Sequence, residues 1–241
     1  MGFRDVNVFE TEAERYDGWF DRHPATYESE VEAVRAALPG SHGHSLEIGV
    51  GTGRFALPFG ITQGVEPALA MRSIAETRGV HAADGVAEDL PYGDATFDCA
   101  LMVTTICFVD DPLQSCREAW RILRPGGCFV VGFVDCDSFL GEFYEAHRGE
   151  SPFYRYARFF SAREVGDLLV EAGFTDLQFW QTLFRHPNAI SQPEPVLSGH
   201  GQGGFVVVVG SKPEKVFETR RQASSSETIQ TGGVTDESNS E

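Results

Sequence analysis

Lysine is almost missing from this chain of 241 residues: only Lys212 and Lys215 are lysines, and the other 17 basic residues are arginines. Acids number 36, and the formal net charge is −17. An acidic, lysine-poor surface is typical of proteins in concentrated salt, because the screening length falls to about 3 Å at 1 M while the acids keep the protein hydrated. A halophilic-type, salt-accumulating cytoplasm is therefore predicted.

The same charge bears on possible partners. Because the sequence has no basic stripe that could neutralise phosphates, nucleic acid is not expected as a partner.

Long apolar runs and a secretory signal are missing as well. No stretch approaches the roughly 18 apolar residues that a membrane helix needs, and Met1-Gly2-Phe3-Arg4-Asp5 lacks the apolar region of a signal peptide. We therefore expect no membrane segment and a cytoplasmic location.

Paired cysteines are the third absence. Five cysteines occur, an odd number, and no two stand in a C-x-x-C arrangement (Cys99, Cys107, Cys116, Cys128, Cys136). This spacing favours reduced cysteines that serve as small core residues. It offers no paired ligands for zinc, so no metal site is expected.

What the sequence does contain is a short apolar run that ends in a glycine turn, Leu46-Glu47-Ile48-Gly49-Val50-Gly51-Thr52-Gly53. The apolar part is typical of a buried parallel strand. Glycines after such a strand allow a tight turn and let a ligand approach the main chain. Because ligands of open α/β sheets bind at the carboxyl ends of the strands, this turn is the predicted centre of the site.

Strands and helices alternate along the rest of the chain. Strands are predicted at 45–50, 63–66, 80–83, 97–103, 128–134, 177–183 and 205–209, and helices at 11–20, 26–38, 68–78, 111–123 and 161–172, with a short helix from Arg54. The second helix places Tyr27, Val31 and Val34 on one face, with its acids expected on the other. Alternation of this kind predicts an α/β fold with a doubly wound, mostly parallel sheet.

Four motifs in this order resemble the class I S-adenosylmethionine-dependent methyltransferases, over about residues 10–210. They are the glycine turn, the acid Glu66 after the second strand, the segments 85–91 and 95–98, and the helix and turn 117–127. The resemblance is closest to the ubiquinone/menaquinone-biosynthesis-type branch, whose members methylate small molecules. It implies a Rossmann-like sheet of seven strands with an antiparallel last strand.

The resemblance also implies a cofactor, S-adenosyl-L-methionine, and the residues that bind it. Glu47 would attract its ammonium group, Glu66 would accept hydrogen bonds from its ribose, and Met71, Ala87 and Glu88 would lie at its adenine. The full predicted set of cofactor-binding residues is Tyr16, Glu47, Gly49, Gly51, Gly53, Glu66, Met71, Ala87, Glu88 and Thr104. Val86 stands where the family often has an aspartate that reads the adenine amine.

The resemblance also implies that two segments of a single domain, residues 1–210, cover the site: an N-terminal helix over the methionine end of the cofactor pocket, and an aromatic segment that walls the substrate pocket. Residues 8–38 form an N-terminal helical cap, in which Tyr16, Trp19 and Phe20 either cover the pocket or attach the helix to the core. Residues 139–160 form an aromatic lid, with subunit contact as the alternative. Predicted substrate-binding residues are Thr105, Phe143, Tyr144, Tyr154 and His200. Residues 211–241 are predicted to be a disordered tail, which leaves the folded part without lysine.

The predicted function is methyl transfer to a small-molecule acceptor, at nitrogen or carbon, in which an aromatic or amine substrate stacks on the lid. No residue is identified as a catalytic group, and the protein is expected to be a monomer or a homodimer. One alternative is an NAD(P)-dependent oxidoreductase, because Gly51-Thr52-Gly53-Arg54-Phe55-Ala56 also fits G-x-G-x-x-A. The other is a non-catalytic cofactor-binding protein.

Overall fold

The computed structural model describes residues 6–214, which build one sheet of eight strands in the order β3-β2-β1-β4-β5-β8-β6-β7. Strands β1 to β5 pair in parallel, and β8 runs antiparallel between β5 and β6. The strands are β1 Ser45–Ile48, β2 Gln63–Val65, β3 His81–Ala83, β4 Phe97–Val103, β5 Leu123–Val134, β6 Thr175–Thr182, β7 Leu197–Ser198 and β8 Phe205–Ser211. The predicted mostly parallel Rossmann-like fold is confirmed, with one strand more than the seven expected. The additional strand is β7, a two-residue edge strand beside β6.

Seven α-helices lie within the described residues: α1 Val6–Thr11, α2 Ala13–Arg22, α3 Pro24–Ala37, α4 Leu69–Thr77, α5 Pro112–Ile122, α6 Phe139–Ala146 and α7 Ala162–Ala172. Local signals in the sequence explain several of their ends. At α7, Ser161 and Glu164 form the reciprocal capping box, and Gly173 ends the helix with a left-handed φ of 104°. At α5, the Asp111 side chain accepts from the backbone N–H of Gln114. Both helices match their predictions.

The core lies on both faces of the sheet, because alternate residues of the central strand β4 point to opposite sides. Ala100 and Met102 belong to the cluster under α5 and α7, whereas Leu101 and Val103 belong to the cluster under α3. A fully buried side chain of this size contributes about 1.5–3 kcal/mol, so the two layers of helices hold the strand ends firmly in place. All five cysteines are free and four of them are buried, as predicted.

Several segments differ from the sequence-based prediction. Strand β5 begins at Leu123 rather than at residue 128, and α1 precedes the helix that was predicted at 11–20. No α-helix follows Arg54; Pro58 and the left-handed Gly60 (φ 67°) limit this segment to a 3₁₀ turn at Leu57–Phe59. The aromatic segment begins with a true helix, α6, whose N-cap Ser138 accepts from the N–H of Gly141. The C-terminal end of the folded domain also lies further along the chain than predicted.

The domain extends past residue 210. Ser211 belongs to β8, and Lys212 is only 7% exposed. The Lys212 ammonium donates to the carbonyl oxygens of Trp120 and Leu123 (2.7 and 2.8 Å) and lies 3.7 Å from the centre of the Trp120 ring. The prediction of a folded part without lysine is therefore wrong. The predicted disorder of the tail concerns residues that, from 215 on, lie outside the described part of the chain.

Candidate active site

The glycine turn after β1 is held by the neighbouring strand. The backbone N–H groups of Gly49 and Val50 both donate to the carbonyl of Val65 (2.8 and 3.0 Å). Gly49 and Gly51 have left-handed φ values of 68° and 52°, and a Cβ on Gly49 would overlap the side chain of Thr105. The Thr105 hydroxyl donates to the Gly49 carbonyl at 3.1 Å. Position 49 therefore requires glycine, both because its φ is left-handed and because Thr105 leaves no room for a Cβ.

Glu66 connects the glycine turn to the start of α4. One carboxylate oxygen accepts from the N–H of Gly51 at 3.1 Å, and the other accepts from the N–H of Ala68 at 2.9 Å. Burial raises the pKa of Glu66 to about 7, against the lowering effect of these two bonds. Two backbone donors thus fix the orientation of the carboxylate at the end of β2.

A cleft of about 110 Å³, the glycine cleft, lies over this turn. Eight of the ten predicted cofactor residues line it: Tyr16, Gly49, Gly51, Glu66, Met71, Ala87, Glu88 and Thr104. Thr105 lines it too, although it was predicted to bind substrate. Sequence reasoning missed Phe9 and Phe108, which contact each other edge to face at 5.0 Å between ring centres.

Glu47 and Gly53 are the two predicted cofactor residues that do not line the cleft. Glu47 is buried in β1; one of its oxygens accepts from the N–H of Ala56, and within the described residues its Oε2 has no hydrogen-bond partner. Burial, together with the charge of Glu66, raises its pKa well above the usual range. Gly53 allows close packing, because a Cβ at this position would lie only 3.3 Å from Val80 Cγ2.

Glu88 lines the glycine cleft, but its carboxylate is engaged in the protein. Glu88 Oε1 accepts from the N–H groups of Asp110 and Asp111 at 2.7 and 3.1 Å. It thereby holds the segment that leads into α5. We still predict that Ala87 and Glu88 adjoin the adenine, with contact through the backbone and the side-chain stem.

A larger cavity of about 380 Å³, the aromatic cavity, adjoins the glycine cleft. The predicted residues Phe143, Tyr144 and Tyr154 line it, and so do Trp19 and Phe20 from the N-terminal helices. Both segments expected to cover the site therefore meet around one space. Phe20 also packs edge to face on Phe55 at 5.8 Å, so this helix both covers the cavity and attaches to the core.

The two cavities share three lining residues, Tyr16, Thr104 and Phe108. The hydroxyls of Tyr16 and Thr104 are 3.5 Å apart, and Thr104 has a left-handed φ of 51° at the end of β4. Burial raises the pKa of Tyr16, which therefore stays a neutral hydroxyl at any physiological pH. This junction is where a bound cofactor and an acceptor would meet.

Glu30 is the acid inside the aromatic cavity that sequence reasoning missed. It lies on α3, 5% exposed, and burial raises its pKa to about 8. The acids of this helix were expected on the outer face, but Glu30 shares the inner face with Tyr27, Val31 and Val34. The spacing of three or four residues between these positions was the signal that could have revealed it.

His200 is the predicted substrate residue that lies elsewhere. Its ring is 5.1 Å from that of Phe179, and it lines neither the glycine cleft nor the aromatic cavity. The glycine-rich loop 199–204 follows β7 at the edge of the sheet, whose position the sequence did not reveal. We therefore remove His200 from the candidate site.

An ion-pair cluster joins α2 to the glycine turn. The carboxylate of Asp17 accepts from Thr52 Oγ1 (2.7 Å), from Arg54 Nη2 (2.8 Å) and from Arg78 Nη1 (2.6 Å). In addition, the carboxylate of Glu10 accepts from the first N–H groups of α4, at Leu69 and Ala70 (2.9 and 2.7 Å). Both contacts hold the N-terminal helices over the two cavities.

The sheet order and the glycine cleft define a Rossmann-like domain, the class of fold in which ligands bind at the carboxyl ends of the strands. Residues 46–131 match the family model of a methyltransferase domain. The solved structure of a SAM-dependent methyltransferase, possible histamine N-methyltransferase, from Thermotoga maritima is 51% identical with a TM-score of 0.83, covering 86% of this chain and 99% of that one.

Curated relatives agree with this assignment. An uncharacterized protein of Methanocaldococcus jannaschii is 44% identical over 207 residues, which are 86% of this chain and all of that protein. A demethylmenaquinone methyltransferase of Roseiflexus castenholzii is 30% identical over 183 residues, 71% of each chain. The chain belongs to the S-adenosylmethionine-dependent methyltransferase family, and S-adenosyl-L-methionine is its cofactor. The nicotinamide-dependent alternative is not favoured.

The residues around the glycine cleft are of the kinds that this cofactor requires. Beside Gly51, the nearest atom that a Cβ would meet is Tyr16 Cε1 at 3.8 Å, so the backbone there is open to a ligand. Glu66 presents a carboxylate that two amides have already oriented. No helix within residues 6–214 is both long and apolar enough to cross a membrane.

Proposed function

We propose that this enzyme methylates a nitrogen atom of a small amine that binds in the aromatic cavity. The observation that carries the proposal is that the two cavities lie side by side and share the lining residues Tyr16, Thr104 and Phe108. A methyl donor in the glycine cleft and an acceptor in the aromatic cavity would be in contact only at this junction.

The bound cofactor supplies a methyl group that is already activated for displacement. The chain then has to bind, to orient and to exclude water. Gly49, Gly51 and Glu66 would hold the nucleoside and methionine portions, and Met71 and Ala87 would adjoin the adenine. Tyr16 and Thr104, whose hydroxyls are 3.5 Å apart, would position the reacting groups at the junction.

The walls of the aromatic cavity support an amine acceptor. Tyr144 and Tyr154 have ring centres 4.8 Å apart, and Phe159 lies 5.4 Å from Tyr154. Aromatic faces attract cations by about 0.5–2 kcal/mol each when water is excluded. The Thermotoga maritima neighbour, 51% identical, is a possible histamine N-methyltransferase, which also supports nitrogen as the acceptor atom.

The size and charge of the site support a small molecule rather than a macromolecule. A cavity of about 380 Å³ is in the range of ordinary small-molecule pockets. The net charge of −17 opposes association with nucleic acid or with anionic membranes. We also keep the prediction of a monomer or homodimer in the cytoplasm, which light scattering and cell fractionation would test.

A methyl-transfer assay tests the proposal. Purified enzyme in molar KCl would receive labelled S-adenosylmethionine and a panel of arylalkylamines (histamine and 2-phenylethylamine among them), phenols, naphthoquinols and aliphatic acids. We expect labelled product from the amines. Turnover of the phenols or quinols alone would overturn the nitrogen assignment, and cofactor binding without turnover on any acceptor would favour a non-catalytic role.

A further inference from the structure

Six acids within residues 6–214 are buried, and Glu30 differs from the other five. Each of the others accepts at least one hydrogen bond: Glu47, Glu66, Glu118, Asp135 and Glu194. Glu30 accepts none and forms no ion pair within the described residues, although the neighbouring buried Ser29 on the same helix donates to the Ala25 carbonyl at 2.7 Å. The carboxyl oxygens of Glu30 open on the aromatic cavity and are not fully enclosed by the chain, yet a carboxyl group so shielded from bulk water is costly without a hydrogen-bond donor. A fold would retain it at lower cost if a ligand completed its hydrogen bonding.

The surroundings of Glu30 have the composition of a cation-binding site. The carboxyl group lines the aromatic cavity together with the rings of Trp19, Phe20, Tyr144 and Tyr154. Aromatic faces and a carboxylate both attract a positive charge, and neither attracts an anion. A neutral apolar molecule would gain nothing from the acid.

The other titratable groups of the cavity do not neutralise Glu30. Tyr16, Tyr144 and Tyr154 face it, and its charge contributes to the raised pKa of each of these phenols. Tyr27, on its own helix, is affected in the same direction. The remaining titratable lining residues are Arg15, Arg22, Cys107, His147 and Glu150. Of these, Arg15 pairs with Glu12 at 3.6 Å, and no arginine between residues 6 and 214 forms an ion pair with Glu30.

The geometry points to Glu30 as the residue that binds the positively charged nitrogen of the methyl acceptor, with the aromatic rings of the same cavity around that nitrogen. This inference rests on the proposed function and specifies its substrate class: a primary or secondary amine of low molecular mass, bound as its ammonium ion. The Glu30 carboxylate would then accept one proton from that ion, and the freed lone pair of the nitrogen would form the new C–N bond as the C–S bond of the donor breaks, with S-adenosylhomocysteine as the leaving group. Glu30 is thereby a residue that determines specificity.

A pH dependence follows from this assignment. Burial raises the pKa of Glu30 to about 8 in the absence of a ligand, so below that pH an ammonium ion must displace a proton from the carboxyl group in order to bind. Aliphatic amines lose their own proton near pH 10. We therefore expect kcat/KM for amines to rise with pH through about 8 and to fall again near pH 10.

The decisive variant is Glu30→Gln, which keeps the size of the side chain and removes its charge. Calorimetry on the full chain saturated with S-adenosylhomocysteine would measure binding of 2-phenylethylamine and of the neutral analogue 2-phenylethanol. A charge-assisted hydrogen bond corresponds to roughly a 10- to 100-fold change in affinity. We expect a loss of that size for the amine, almost none for the alcohol, and no pH limb near 8 in the kcat/KM profile of the variant.

Glu28→Gln is the matched control, because Glu28 lies on the same helix but is exposed to solvent. It should bind the amine as the wild type does. The melting temperature of Glu30→Gln should equal or exceed that of the wild type, since Glu30 accepts no hydrogen bond and forms no ion pair within residues 6–214; a lower one would indicate a structural role and overturn the assignment.

The outcomes separate this inference from the proposed function. If the wild type methylates amines and Glu30→Gln retains both the affinity and the pH profile, the assignment of Glu30 is wrong while the proposed function stands. If no amine is methylated, the proposed function is wrong, and the binding experiment alone decides on Glu30. Equal amine affinity in wild type and variant overturns the assignment in either case.

Discussion

Replacing Asp17 by asparagine would test whether the N-terminal helices complete the active site. The Asp17 carboxylate is the common partner of Thr52, Arg54 and Arg78, and its side chain is only 15% exposed. The preceding residue, Tyr16, lies at the junction of the two cavities. Loss of this charge should therefore affect both the stability of the fold and the binding of the cofactor.

The size of the stability loss depends on how well Arg54 and Arg78 are still paired after the substitution. Removing one partner of a fully buried ion pair costs about 3–5 kcal/mol. In this cluster Arg54 keeps Asp21, whose carboxylate oxygens lie 2.9 Å from its guanidinium nitrogens, and both arginines retain some contact with water. We therefore expect a loss of about 2 kcal/mol in the free energy of unfolding, and roughly a tenfold weaker affinity for S-adenosylhomocysteine, which equals about 1.4 kcal/mol.

Asp21→Asn is the matched control, because Asp21 binds the same Arg54 but is 67% exposed. Exposed pairs contribute about 0.2–1 kcal/mol, so this variant should unfold within 1 kcal/mol of the wild type. Urea unfolding and titration calorimetry would provide the two measurements. If Asp17→Asn and Asp21→Asn behave alike, burial is not what gives the cluster its strength, and the reasoning is refuted.

The stability difference between the wild type and Asp17→Asn should also depend on pH. Burial works against ionisation of Asp17, but the bonds from Arg78, Arg54 and Thr52 outweigh it, and the pKa of Asp17 lies well below its usual range. Stability from a depressed carboxyl pKa is complete above the unfolded value of about 3.9 and is lost as the pH falls below it. The wild type should therefore lose its advantage over Asp17→Asn as the pH falls below about 4, and a constant difference would contradict the argument.

Three further predictions concern the cleft and the surface. Gly49→Ala should abolish cofactor binding because its Cβ would overlap Thr105, whereas Gly60→Ala, with nearly the same φ but open space around it, should cost only backbone strain; calorimetry and melting curves would distinguish them. Cofactor affinity should rise with pH through about 7 as Glu66 ionises, and Glu66→Gln should bind more weakly with no such dependence. The melting temperature should rise steeply between low salt and molar KCl, because salt screens a net charge of −17; a salt-independent value would contradict the halophilic interpretation.

Elements whose signals are local were predictable from the sequence. Strand β4 has the predicted bounds because six of its seven residues are apolar and buried, and only Asp98 near its start is not. The capping box of α7 involves residues three positions apart, so its geometry is encoded within one short stretch, and the spacing of the glycines marks the turn after β1 although its contacts with Val65 and Thr105 are made in the tertiary structure. From these stretches the fold, the cofactor and most of the glycine cleft followed.

Other features depend on residues that are distant in the chain, and only the tertiary structure reveals them. Glu30 is an ordinary helical acid until α3 places it among rings from α2, α6 and the 3₁₀ turn at Tyr154–Tyr156. Lys212 looks like the start of a tail until β8 carries it beneath Trp120. Strand β7 has two residues and no pattern of its own, because its pairing with β6 alone defines it. Local sequence determines the conformation of each segment, whereas the desolvation and the partners of a side chain depend on which segments the packed sheet brings against it.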